Sequence, residues 1–232
     1  MDIASLFSGL ENASTDRSLA RSALAQLRSM LIEGCPRAHQ NRRQICCYGE
    51  WLAPLKRILY LWSHDHDIQL FCYDCISCLV AGVPEDDEVA WWCLLDDDLV
   101  ESMTMSLGRY PKSELLHSRV TALLVTSLTG LRHVGNNPPT IHFVDSLLGH
   151  RLILRSMHDF PINPEVQING CLILRCILPK LSPVSVEVCK EFFRPVAKTA
   201  IHHNFRNNKD IKTIFINLLR ELFATEDWRD LL

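Results

Sequence analysis

A chain of 232 residues, 47% apolar and 22% charged, can bury a sizeable core and is too apolar for wholesale disorder. Its formal charge of −3 argues against a dedicated nucleic-acid binder. No run of 18 apolar residues occurs, so no membrane-spanning helix is predicted. Met1 to Ser14 lacks a basic stretch followed by an apolar core, so a secretory signal is not expected. The ten cysteines then read as reduced core residues of an intracellular protein, cytoplasmic and/or nuclear.

In chain order, the first predicted helix covers 16–32, with Thr15 or Asp16 as its cap. Residues 41–62 hold two helices, because Pro54 fits only a first turn. A helix over 67–81 follows, then a short pair over 86–95 and 98–107, with Asp98 capping the second. A long helix is predicted over 114–133, two short ones over 140–148 and 152–157, and another over 164–178. Two helices over 184–193 and 196–203 precede the last, 209–224. Glycine followed closely by proline punctuates the series at Gly34/Pro36, Gly82/Pro84, Gly108/Pro111 and Gly135/Pro138, a combination that ends helices. The one Asn-Gly pair, Asn169-Gly170, falls inside the predicted helix over 164–178 and Asp-Gly does not occur, so no hairpin turn is read and almost no sheet is predicted.

An apolar signature recurs every 45 to 52 residues: Leu19/Leu27/Met30, Ile68/Ile76/Leu79, Val120/Leu128/Leu131, Val166/Leu174/Ile177 and Ile211/Leu219/Leu222. The second and third positions lie 8 and 11 residues after the first, which returns them to one helix face. A helix recurring at this period predicts a stacked solenoid. Two short helices then a longer one, together with Asp67-Ile68-Gln69 and the stretch Asn163 to Cys171, resemble the third helix of armadillo repeats over most of 16–224. The resemblance implies an all-α, short right-handed armadillo-like α-solenoid of about four to five repeats. A single domain, 1–232, would hold repeats at roughly 16–34, 41–82, 85–135, 138–180 and 183–224, with a tail at 225–232. It also implies a concave groove for a partner protein. Cys176 stands where the importin-type groove would carry an asparagine, so binding of nuclear localisation signals is not expected. In phrases such as Arg119 to Leu124 and Ile211 to Leu222, residues 99–226 further resemble the C-terminal armadillo domain of a meiotic family that localises a recombination mediator, which implies a recombination-mediator adaptor as an alternative function.

Charge is unevenly spread. Residues 58–108 contain eleven Asp/Glu and no Lys or Arg, whereas the flanking segments are net basic. An acidic ridge of Asp86, Asp87, Glu88, Asp96, Asp97 and Asp98, with Trp91 as an aromatic anchor, would attract a basic partner segment or a second copy. The alternative is a solvated face. Lys190, Arg194, Lys198, Arg206, Lys209 and Lys212 support the other reading, nucleic-acid association, which the acidic middle opposes.

Cys72, Cys75 and Cys78 have ligand-like spacing, but they fall on or beside an apolar helix stripe and no second pair accompanies them, so packing is expected. His64-Asp65-His66-Asp67 reads as a cap and loop. Phosphate-cradling glycine loops, nucleophile elbows and His-Glu-x-x-His helices are missing, so no enzyme, cofactor or metal is predicted. The expected function is a protein–protein interaction scaffold or adaptor. Its groove residues would be Gln69, Tyr73, Arg119, Gln167, Asn169, Lys212 and Asn217, beside the core stripes of the third helices.

Overall fold

The computed structural model describes residues 3–12, 15–32, 35–46, 51–80, 96–129, 142–144, 146–203 and 209–223. Among them every regular element is helical. The chain divides into two compact units, 1–102 and 103–232, where the sequence predicts one continuous array.

In the first unit, α1 (Ile3–Asn12) and α2 (Arg17–Leu31) precede α3 (Ala38–Cys46), α4 (Leu52–Leu61) and α5 (His66–Val80). Helices α2 and α5 pack side by side, α1 lies on α2 and α4, and α3 touches both α2 and α5. Leu24, Leu27, Leu31, Ile45, Leu55, Ile58, Ile68, Ile76 and Leu79 close the core. Asp16 caps α2, its carboxylate accepting the amides of Ser18 and Leu19 at 2.7 and 3.2 Å. Pro54 lies in the first turn of α4, where its missing N–H has no intrahelical partner to lose.

The division falls within α6 (Asp97–Arg109). The second unit continues with α7 (Glu114–Thr129), α8 (Gly149–Asp159) and α9 (Pro164–Ile177), then a 3-10 turn (Leu178–Lys180), α10 (Pro183–His203) and α11 (Lys209–Leu222). Helix α9 is central, packed against α7, α8 and α11, while α10 lies on α8 and α11. Phe193 and Phe215 stack across the α10–α11 seam with centroids 5.7 Å apart. Gly149 opens α8 because its backbone rides against Phe143: a β-carbon there would meet the ring at 2.2 Å.

Several sequence expectations change. Helix α10 is continuous through Pro195, not split into 184–193 and 196–203. Its buried stripe of Cys189, Phe193, Val196, Ala197 and Ala200 runs through the proline, and that packing offsets a penalty of about 3 kcal/mol. Asp96, not Asp98, caps α6 by accepting the Leu99 amide at 3.1 Å. Gly108 sits inside that helix's last turn, so the stop is Pro111. Leu19 is 52% exposed, whereas Ala20, Ala23, Leu24, Leu27 and Leu31 carry the buried face of α2. Gly34, Gly82, Gly135 and the helix over 86–95 lie outside the described residues.

Candidate functional site

A single turn geometry recurs where each of three long helices begins. Trp62, Tyr110 and Phe160 end the preceding helices, their amides bonded to the carbonyls of Ile58, Ser106 and Ser156. Three residues later the amides of Asp65, Ser113 and Asn163 return to the aromatic residues' carbonyls at 2.9, 3.0 and 3.2 Å. The Asp65 carboxylate accepts the Asp67 and Ile68 amides, and the Asn163 side chain accepts Val166 N–H, so both cap the helix that follows.

One turn into each long helix, a buried polar side chain reaches back. Gln69 Nε2 donates to Leu59 O at 2.7 Å and Trp62 O at 3.3 Å. Gln167 Nε2 donates to Met157 O at 2.7 Å and Phe160 O at 3.0 Å. His117 occupies the matching position, its Nε2 3.2 Å from Tyr110 O and its Nδ1 2.8 Å from Ser156 Oγ. These contacts satisfy carbonyls that a helix end leaves without intrahelical donors. Burial holds the His117 pKa below its ordinary value, and that of His150 likewise. Gln69, Gln167 and Tyr73 therefore do not line a groove: all three are buried, and Tyr73 donates its hydroxyl to Ser102 O at 3.0 Å. The two glutamine side chains point into the helix–turn–helix corners, whose helix-end carbonyls need donors.

The pattern exists in sequence as aromatic-x-x-Asp/Ser/Asn-x-x-Ile/Leu/Val-Gln/His at 62–69, 110–117 and 160–167. Residues 205–212, Phe-Arg-Asn-Asn-Lys-Asp-Ile-Lys, repeat it with Lys212 in the final place, although 205–208 lie outside the described residues. It places Leu116 opposite Ile68 and Val166, so the signature beginning at Val120 is one helical turn late.

The long helices stack through side chains separated by one repeat. In the first unit Arg17 pairs with Asp65, Arg21 with Asp67 at 3.3 Å and Arg28 with Asp74 at 3.2 Å. In the second, Ser118 bonds Glu165, Asn163 donates to Glu114 at 2.8 Å, Asn169 donates to Thr121 at 3.4 Å and Arg175 pairs with Glu221 at 2.9 Å. Lys56 holds Asp96 at 2.6 Å and Asp98 at 3.1 Å. Five of the seven described acids in 58–108 thus have basic partners, with Asp96 and Asp98 sharing Lys56. Asp97 is exposed, and Asp86, Asp87, Glu88 and Trp91 lie outside the described residues.

The other expected groove residues are on the surface side of the stack. Arg119, Asn169 and Asn217 are half-buried and Lys212 is exposed. On the same helices Ile168, Leu172 and Cys176 of α9 and Ile214 of α11 are also half-buried. The face of α7, α9 and α11 is therefore mixed, with amides and cations set among aliphatic side chains.

No protein-family model, curated protein or solved structure matches the chain. Its own geometry carries the functional argument. The eight described cysteines are free, and burial raises the Cys72, Cys75 and Cys171 thiols and pushes Cys189 up to about 11. Cys72 and Cys75 face the carbonyls of Leu55 and Leu24 at 3.5 Å, as packed side chains do. Among the described residues no group of three or more His, Cys, Asp or Glu is placed to hold a metal ion. No described helix is long and apolar enough to cross a membrane.

Proposed function

We propose that this chain is a non-enzymatic, armadillo-like helical-repeat scaffold that holds a segment of a partner protein against its stacked third helices. The observation that carries this reading is the recurrence of one turn, one clamp and one set of cross-helix pairs at nearly constant spacing. Such repetition builds an extended surface from successive helices rather than a single enclosed site. The mixed face of Arg119, Asn169, Leu172, Ile214 and Asn217 suits an extended or helical segment: amides and Arg fix its backbone, and aliphatic side chains cover its apolar residues. The setting proposed for it is intracellular, with free thiols. A basic partner segment is less favoured than the raw charge suggests, because Lys56 and three arginines of α2 already engage the acids.

The test is capture of partners from a native extract by the wild-type chain and by the Arg119→Ala/Asn169→Ala/Asn217→Ala variant. These half-buried positions should each cost about 0.5–1.5 kcal/mol, Asn169→Ala through its long bond to Thr121, so the variant is checked for a cooperative melt before capture. The proposal expects a captured partner to be lost at least tenfold with the fold intact. Undiminished capture by the variant would reject this face as the binding surface.

A further inference from the structure

The second unit carries a groove on different elements, between α8 and α10. It encloses a cavity of about 430 Å3 lined by Arg151, Leu154, Arg155, His158, Val188 and Phe192. Its floor is apolar: Leu154 is 2% exposed, and Val188 is half-buried. Phe192 and Val184, however, stand 55% and 75% exposed. Val184, Val188 and Phe192 are spaced four residues apart, so they form one continuous stripe along α10 that extends beyond the cavity. An apolar stripe left open to water beside a cavity of this size is an anchoring surface for a bulky side chain.

The rim decides the kind of partner. On α8, Arg151, Arg155 and His158 are exposed along one edge. Asp159 is the local counter-charge, 3.5 Å from Arg155 and 3.3 Å from His158. Arg151 has no ion pair among the described residues. On α10 the charges alternate as Glu187, Lys190, Glu191 and Arg194, and Glu187 is bonded to Lys190 at 2.8 Å. These four cancel and Lys198 is one further cation along the helix, so α8 leaves the groove with excess positive charge. Guanidinium groups beside an aromatic floor favour carboxylates flanking an apolar residue.

We infer that the α8–α10 groove docks an acidic peptide segment, with an aliphatic or aromatic residue seated on Leu154, Val188 and Phe192 and its carboxylates on Arg151 and Arg155. The site is separate from the third-helix face. The Arg119→Ala/Asn169→Ala/Asn217→Ala variant should bind such a peptide normally, so the two ideas fail independently.

The test uses the full chain and a fluorescent twelve-residue peptide rich in Asp and Glu around a central Leu-Phe pair. Two control peptides replace its acids by Lys or its Leu-Phe pair by Ser. Anisotropy titration should show the acidic peptide binding at least tenfold tighter than either control. Arg151→Glu and Phe192→Ser, both at exposed positions and checked for unchanged melting, should each weaken binding at least tenfold. Equal binding of the Lys peptide, or wild-type affinity in either variant, would overturn the inference. So would a dimer of the chain that Phe192→Ser converts to monomer, since that would assign the stripe to a second copy.

Discussion

Gln69→Leu is expected to lower the unfolding free energy by about 1–3 kcal/mol, because it removes a buried side-chain donor from the helix-end carbonyl of Leu59 while keeping the side-chain volume. Trp62 O is less affected, since it still accepts the Asp65 amide. The same change at Gln167 should cost less. There Oε1 is buried without a partner, so leucine relieves one unmet acceptor as it deprives Met157 O of its donor. Urea unfolding of the two variants at equal pH separates these cases. A larger loss for Gln167→Leu than for Gln69→Leu would mean that the corner contacts do not set local stability.

His117→Gln is expected to fold and to flatten the acid sensitivity of stability. Gln fits the position because Gln69 and Gln167 already make the equivalent contact in the other two corners. Tyr110 O can only accept, so in the neutral ring Nε2 of His117 carries the hydrogen, and Nδ1 lies 2.8 Å from Ser156 Oγ, whose one hydrogen it shares as an acceptor with Leu152 O. A charged ring would have to be accommodated in a buried corner, edge-on to Phe160 at 4.8 Å. Burial therefore depresses its pKa in the fold. Above the unfolded pKa of about 6.5, both states hold a neutral ring and the stabilisation is complete. As pH falls below that value toward the depressed folded pKa, the unfolded chain takes up a proton first and stability is lost. His150 is depressed the same way, by burial and then by Arg151, so the variant should retain a smaller dependence rather than none. Midpoints of urea unfolding at pH 7.5, 6 and 5 measure it. Identical pH profiles for variant and wild type would contradict the assignment.

Helix content was legible because the 3.6-residue periodicity of the buried stripes is strong, and the caps at Asp16 and the proline-led start of α9 announce themselves. Register was less so. An apolar stripe contains residues at both i and i+4, so matching apolar positions alone let the third signature slide from Leu116 to Val120 without penalty. The aromatic, cap and Gln/His positions fix the register, but their identities vary from Trp to Tyr to Phe and from Gln to His, which hides them from an apolar template. Gln69 and Gln167 are polar enough for the surface, and only the unpaired carbonyls of a neighbouring helix end, which the sequence does not display, draw them inside. The partners of the acidic block are hidden in sequence for a different reason. A sum over neighbouring residues cannot register Arg17, Arg21 and Arg28, which meet Asp65, Asp67 and Asp74 from nearly one repeat away. The three arginines are 44–56% exposed while Asp65 and Asp74 are mostly covered, so each pair is worth about 1 kcal/mol and sets alignment more than stability. The α8–α10 groove left little trace in sequence, since its rim and floor come from residues up to about 40 positions apart.

Hydrogen exchange on the chain with and without a captured partner probes the scaffold proposal most directly. Protection gained along α7, α9 and α11, around Arg119, Asn169 and Asn217, is the result expected of a segment held on the stacked third helices. Protection confined to α1, α3 and α4, with those three helices unchanged, would contradict it.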